Sequence, residues 1–225
     1  MGIYVLSLGG SLIVPDKVKL KYLLSFKKFL QQSKHRFVVV CGGGGIARTY
    51  ISALRESGKS NYIQSLAGIA VTRMNARFMT YLFDGEADEG IPLDMKHVAS
   101  LLKKRRIVFC GALRYAEKQT SDSTAAKLAH YFHAPFINIT DVRGLYDQDP
   151  KKHKEARLIP GISWKDFLRK ADALHYQAGQ HFVLDQEAAL VIKKHRIPTF
   201  IAGPDLKNLK HLLKGEHFMG TVVSG

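Results

Sequence analysis

The amino-acid sequence predicts an α/β protein, a three-layer α/β/α sandwich in which a mostly parallel sheet lies between two layers of helices. Apolar runs of strand length alternate with amphipathic runs of helix length along most of the chain. Strands that are separated by whole helices pair in parallel and leave helices on both faces of the sheet. The chain has 225 residues, of which 46% are hydrophobic, and this is enough to bury the core of one such domain.

The predicted elements follow one another in a regular order. The first two strands, 3–8 and 36–41, are apolar runs, and a helix around 125–132 is marked by apolar residues three and four positions apart. The stretch 59–95 gives the weakest pattern, and within it only 68–82 resembles a helix. The predicted strands are 3–8, 36–41, 106–110, 135–140 and 198–202, and the predicted helices lie near 18–33, 45–57, 68–82, 125–132, 164–170 and 185–195.

Composition and charge exclude several classes of protein. The chain has no run of 18 apolar residues and no signal-like N-terminus, so we expect a soluble, cytoplasmic protein with no membrane partner. Cys41 and Cys110 each end an apolar run without a second ligand at metal-binding spacing, which predicts two core residues. The net charge of +15 favours anionic ligands such as nucleotides. Because the basic residues are scattered in short groups, nucleic acid is not an expected partner.

Two glycine clusters carry the strongest functional signal. Gly9-Gly10-Ser11 and Gly42-Gly43-Gly44-Gly45-Ile46-Ala47-Arg48 each follow an apolar strand-like run. Backbone without side chains lets N–H groups converge on an anion at the start of a helix. Neither cluster has the P-loop lysine or the complete dinucleotide-binding fingerprint. Together with the run Thr140 to Pro150, the clusters predict phosphoryl transfer.

The residues in these runs resemble the amino acid kinase family and, within it, the archaeal-type uridylate (UMP) kinases. The resemblance extends essentially from end to end. The motifs that carry it are Gly9-Gly10-Ser11, Gly42 to Arg48, Gly68-Ile69 with Thr72-Arg73, Thr120-Ser121-Asp122, Thr140 to Pro150, Leu184-Asp185-x-x-Ala-Ala, Lys214-Gly215-Glu216 and Gly220-Thr221.

The resemblance implies a single domain with two halves. The N-terminal half, about 1–115, would bind the acceptor UMP, and the C-terminal half, about 116–225, would bind ATP. It also implies Mg²⁺ held mainly by the phosphates, with no metal-binding side chain, and assembly as a homohexamer.

The resemblance also assigns roles to individual residues. The catalytic set is Gly10, Arg48 and Asp122; the acceptor-binding set is Gly43, Thr120 and Ser121; and the ATP-binding set is Gly9, Gly10, Gly44, Arg48, Thr140, Tyr146 and Asp149. Phosphoryl transfer needs positioning and charge neutralisation rather than covalent help, and a guanidinium such as that of Arg48 can bind two phosphate oxygens.

Structural alternatives stay open for several of these residues. Arg48 could be a solvated helix residue, and Asp149 before Pro150 could be a plain turn. Thr120, Ser121 and Asp122 could instead cap the helix that begins near them, a role that suits their residue types and does not exclude a catalytic one. Asp185 is predicted to be first a helix cap and second an active-site residue.

Three departures from the family pattern bear on activity. Many members have a lysine where this chain has Ser7, and loss of such a cation could lower the rate roughly 10²–10³-fold. Arg114, Lys118 and Lys152 are candidates to compensate. Ser65 stands where related UMP kinases have an aspartate, and the segment 112–119 is an unusual acceptor loop.

The departures leave other functions open beside the leading one, ATP-dependent transfer to UMP. The acceptor could be another small phosphate- or carboxylate-bearing molecule. The chain could also be a catalytically silent nucleotide sensor or, less favoured, a nucleic-acid-binding protein.

Overall fold

The computed structural model describes residues 1–84, 90–115, 120–174 and 184–225. These residues form one seven-stranded sheet with helices on both faces. The strands are β1 (Ile3–Leu8), β2 (Arg36–Cys41), β3 (Ile107–Cys110), β4 (Phe136–Ile139), β5 (Gly161–Ser163), β6 (Thr199–Ala202) and β7 (Gly220–Ser224). The helices are α1 (Gly10–Ile13), α2 (Leu20–Gln32), α3 (Gly44–Glu56), α4 (Asn61–Leu82), α5 (Met95–Lys104), α6 (Ser121–Tyr131), α7 (Trp164–Leu174), α8 (Gln186–His195) and α9 (Leu206–Leu213).

The strand order is β3-β2-β1-β4-β6-β7-β5, and every pair is parallel except β6 with β7. From β1 the chain adds β2 and then β3 on one side, and it returns to add β4 on the other side of β1. This reversal of direction between β1 and β4 leaves a crevice at the carboxyl ends of the strands. In open α/β sheets such a crevice is where ligands bind.

The core consists of two apolar layers, one on each face of the sheet. Along β1 the side chains alternate, so Val5 packs into one layer and Leu6 into the other. The first layer is closed by buried residues of α5, α6, α7 and α8, and the second by those of α1, α2, α4 and α9. The predicted three-layer α/β architecture is therefore confirmed.

The local predictions were accurate where a run was long and apolar. Strands 3–8 and 36–41 have the predicted bounds, whereas α4 begins at Asn61 rather than near 68 and α7 continues to Leu174. Helices α1, α5 and α9 and strands β5 and β7 were not among the predicted elements. Cys41 and Cys110 are buried, and burial raises the pKa of both thiols. None of the described helices is long and apolar enough to cross a membrane.

Candidate active site

A cavity of about 340 Å³ opens at the carboxyl ends of β1, β2 and β4. Because these strands are parallel, the loops that follow them meet at this one edge of the sheet. The segments that follow these strands contribute residues 9–11, 42–44, 140–142 and 144–151, and farther along the chain α3, α6 and α7 contribute Arg48, Ser121, Asp122 and Lys170. Ser7 and Asn138 line the cavity from β1 and β4.

The floor of the cavity consists of two glycine turns that touch through their backbones. A Cβ atom placed on Gly10 would lie 2.2 Å from the backbone nitrogen of Gly44, and one on Gly42 would lie 2.8 Å from the nitrogen of Gly10. Gly44 also has a φ of +63°, in the left-handed region. No side chain fits between the turns, so bare backbone faces the cavity. This is the geometry with which backbone N–H groups bind phosphate.

Helix α4 holds the ends of two strands beside these turns. The buried Asn75 side chain donates from Nδ2 to the carbonyl oxygen of Gly42 at 2.7 Å. Thr72 Oγ1 accepts from the backbone nitrogen of Ala112 at 2.9 Å, and Arg73 Nε donates to the carbonyl of Ala112 at 3.1 Å. The residues of the Thr72-Arg73 motif thus satisfy backbone groups where β2 and β3 end.

Ser7 and Asp122 form the polar centre of the cavity wall. Ser7 is buried, and its hydroxyl donates to Asp122 Oδ1 at 2.6 Å. Burial and, secondarily, the nearby carboxylate of Asp185 raise the pKa of Asp122 to about 7, against the opposing effect of the Ser7 hydrogen bond. The sequence indicated Ser7 only as a position where many family members have a lysine. In the structure its hydroxyl is the hydrogen-bonding partner of Asp122.

The structure at the start of α6 shows which of Thr120, Ser121 and Asp122 caps the helix. Thr120 is the N-cap and accepts from the backbone nitrogen of Ser123 at 3.1 Å, while its hydroxyl donates to Asp185. Asp185 is the N-cap of α8 and accepts from the backbone nitrogen of Ala188 at 2.9 Å. Asp122 lies in the first turn of α6 and bonds Ser7 instead of capping the helix. Thr120 is exposed and does not line the cavity.

The loop after β4 forms the other wall. Thr221 of β7 holds it: Thr221 Oγ1 accepts from the backbone nitrogen of Leu145 at 2.8 Å and donates to the carbonyl of Ile159 at 2.6 Å. Tyr146 lines the cavity and is half-buried. Asp149 also lines the cavity, and its carboxylate accepts from the backbone nitrogen of Lys151 at 2.9 Å, as expected of a turn.

Among the described residues, three cations line the cavity: Arg48, Lys151 and Lys170. Lys151 forms an ion pair with Asp141. Partial burial acts to raise the pKa of Asp141, but the hydrogen bond and charge of Lys151 outweigh this effect and lower it. No carboxylate among the described residues forms an ion pair with Arg48 or Lys170.

Two of the three cations that were expected to compensate for Ser7 lie outside the cavity. Arg114 is exposed and pairs with Asp94 at 3.3 Å, and neither Arg114 nor Lys152 lines the cavity. Lys118 and the rest of 116–119 lie outside the described residues. Sequence reasoning missed Lys151 and Lys170. Lys151 directly follows the recognised Thr140 to Pro150 run, whereas no local motif points to Lys170.

The structure therefore brings most of the predicted site residues together. All of them line the cavity except Thr120: Gly9, Gly10, Gly43, Gly44, Arg48, Ser121, Asp122, Thr140, Tyr146 and Asp149. Within the described ranges, no group of three or more His, Cys, Asp or Glu side chains is arranged to hold a metal ion.

The geometry agrees with comparisons to known proteins. The model of the amino acid kinase family matches residues 2–203. The chain belongs to the amino acid kinase family. Among curated members, it is 36% identical over 221 residues to the uridylate kinase of Thermoplasma volcanium, with 97% of this chain and 96% of that protein covered.

Solved structures of the family give the same picture. The uridylate kinase of Archaeoglobus fulgidus superposes with a TM-score of 0.82 at 33% identity and covers 98% of this chain and 99% of its own. The UMP kinase of Bacillus anthracis has a TM-score of 0.79 at 18% identity, covering 99% of this chain and 95% of its own, and so shares the fold. The family resemblance that the sequence motifs indicated is thus confirmed.

Proposed function

We propose that this chain transfers the γ-phosphoryl group of ATP to UMP and so forms UDP and ADP. The observation that carries the proposal is the cavity at the β1–β4 crevice, in which two bare glycine turns and Arg48 face the loop Thr140 to Pro150. Full-length similarity to proteins named uridylate kinase supports UMP as the acceptor.

The two substrates meet at the glycine floor in this proposal. A phosphate oxygen of UMP attacks the γ-phosphorus of ATP, the bond from that phosphorus to the bridging oxygen breaks, and ADP leaves. The acceptor phosphate is already largely ionised at neutral pH, because its second pKa is about 6. The reaction therefore needs no general base, and the task of the protein is to position and neutralise the phosphates.

We assign the residues accordingly. Backbone groups of Gly9, Gly10 and Gly44 hold the transferring phosphate, and Gly43 and Ser121 lie on the acceptor side. Arg48 bridges donor and acceptor phosphates.

The remaining residues position these groups or bind the rest of ATP. Asp122 orients the groups around the transferring phosphate, and Ser7 fixes the carboxylate of Asp122. Thr140, Tyr146 and Asp149 bind the adenosine part of ATP. Thr120 acts through Asp185 and the α6 cap.

The donor set suits ATP accompanied by Mg²⁺. The glycine turns would be filled by a single Cβ atom, and three cations from the described part of the chain line the cavity, as expected of a site for a polyphosphate. The Mg²⁺ would neutralise charge on the phosphates, which we assign as its main ligands. The N-terminal half of the fold would hold UMP and the C-terminal half ATP. A homohexamer remains a prediction from the resemblance, and a cytoplasmic location remains a prediction from the composition.

Measurement of ADP release from ATP and Mg²⁺ tests the proposal, with UMP, CMP, AMP, GMP and acetylglutamate supplied singly and a control without acceptor. UMP should give the largest kcat/KM. Turnover with another acceptor alone would overturn the UMP assignment and draw attention to Ser65 and to Tyr115, whose ring contacts Tyr62 at 4.7 Å. ATP binding without turnover on any acceptor would favour a catalytically silent nucleotide sensor. This is the second candidate function, because the chain has Ser7 where many family members have a lysine.

Replacement of Arg48 by alanine should lower turnover at least tenfold, because a charge-assisted phosphate contact is worth roughly 1.5–3 kcal/mol. The side chain is exposed, so the thermal midpoint should not change. Arg55→Ala is the matched control, since Arg55 is exposed in the last turn of the same helix and does not line the cavity. Equal kinetics of the two variants would remove Arg48 from the site.

A further inference from the structure

Lys170 lies on the wall of the cavity, although no sequence motif contains it. It is a residue of α7, whose neighbouring Phe167 and Ala171 are buried in the core. Lys170 itself is half-buried and lines the cavity. A lysine at the edge of an apolar helix face covers that face with its stem and extends its ammonium group into the adjoining polar space. Here the adjoining space is the cavity.

The acidic side chains of α7 have other partners. Asp166 pairs with Arg169 at 3.0 Å and accepts from Ser163 at 2.8 Å, and Asp172 accepts from Gln186 Nε2 at 2.6 Å. Across the described parts of the chain, no salt bridge includes Lys170. A half-buried lysine that forms no ion pair with a described carboxylate, at the edge of a cavity, is suited to bind an anion.

The distribution of charge shows which anion it would meet. The loop on the same side of the crevice carries Asp141, Asp147 and Asp149, and of its cations Lys151 is paired with Asp141. Arg48 belongs to α3, which follows β2, whereas α7 follows β5 on the opposite side of β1 in the sheet. Among the described residues that line the cavity, Lys170 is therefore the cation without an ion pair on the side of the loop to which the proposed function assigns ATP.

We propose that Lys170 binds the phosphate chain of the nucleotide donor. This inference rests on the proposed function only for the identity of the donor side. The ammonium group would neutralise donor phosphate charge, which the serine at position 7 cannot do. Lys170 would thus complement Arg48, with one cation contributed by each half of the fold.

Calorimetric titration of the full chain with ATP and with inorganic triphosphate tests the proposal. Lys170→Ala and Lys170→Gln should each weaken both ligands at least tenfold, because a charge-assisted contact is lost. Lys170→Arg should retain most of the affinity. Lys165→Ala is the matched control, since Lys165 is exposed on the same helix and does not line the cavity. In kinetics, KM for ATP should rise while KM for the acceptor stays within twofold.

Two results would overturn the proposal. One is affinity for ATP and triphosphate within twofold of the parent protein in both neutral variants. The other is a loss of ATP affinity without a loss of triphosphate affinity, which would place Lys170 on the base or ribose. Failure of the proposed function can be distinguished from failure of this inference. If only the proposed function fails, the parent protein shows no turnover, but replacement of Lys170 still weakens the binding of triphosphate.

Discussion

Substitution of alanine for Gly10 is expected to lower turnover at least 100-fold and to destabilise the protein by about 3–5 kcal/mol. The added Cβ would lie 2.2 Å from the backbone nitrogen of Gly44 and 2.6 Å from the carbonyl carbon of Gly43. Because these are backbone atoms, no rotamer change relieves the overlap and the two glycine turns must separate. A displacement of about 1 Å in the groups that hold a reacting phosphate is enough for a loss of this size.

Urea unfolding and steady-state kinetics of the Gly10→Ala variant measure the two effects. Gly161→Ala is the control, because a Cβ at Gly161 meets nothing within 4 Å. We expect its stability to change by no more than about 0.5 kcal/mol and its kinetics not at all. Normal activity in Gly10→Ala would show that the turns separate without cost and would contradict their role as the floor of the site.

Replacement of Asp122 by asparagine should stabilise the protein at alkaline pH and lower its activity at every pH. The folded state raises the pKa of this carboxyl from 3.8 to about 7. Between these values the folded chain binds a proton that the unfolded chain has released, so stability falls as the pH rises through the window from about 4 to 7. Asparagine has no proton to lose and can still accept from Ser7. The gain should be absent below pH 4 and reach roughly 2–4 kcal/mol above pH 7.

Free energies of unfolding at pH 4, 6 and 8 test the stability effect, and turnover between pH 5.5 and 9 tests the role in catalysis. Turnover of the parent protein should rise through the ionisation of Asp122, whereas the variant should be at least tenfold slower without that step. Asp205→Asn is the control: Asp205 caps α9 outside the cavity, and asparagine caps equally well. A stability difference that does not vary with pH would show that folding does not raise the pKa of Asp122.

The sequence predicted the fold best where burial on both faces leaves a continuous apolar run. For this reason the predicted bounds of β1 and β2 agree with the structure at every residue, and the three-residue β5 was not predicted. Helix α9 could have been predicted, since Asp205 precedes a run with apolar residues at helical spacing. The antiparallel direction of β7 could not, because nothing in Gly220–Ser224 distinguishes it from a parallel strand.

The site could be predicted where its residues lie close together in the sequence. The glycine turns, Arg48 and the loop from Thr140 lie in recognisable runs, and the structure brings them together. The partnership of Ser7 with Asp122 spans 115 positions in the sequence, and Lys170 lines the cavity from α7, far along the chain from the glycine turns. Such contacts depend on tertiary packing, which a local pattern does not encode.

The pairing of the edge strand has a consequence for the order in which the molecule folds. Among the described strands, β5 (Gly161–Ser163) pairs only with β7 (Gly220–Ser224), and the paired residues lie 61 positions apart in the chain. Non-local pairing of this kind is slow, because the loop must close before any contact stabilises it. The glycine turns, by contrast, follow β1 and β2, and these strands are closer to each other in the sequence than β5 and β7 are. A chain that is still folding would therefore form the phosphate-facing floor early, while the wall that carries Lys170 is fixed in place only when β7 joins the sheet.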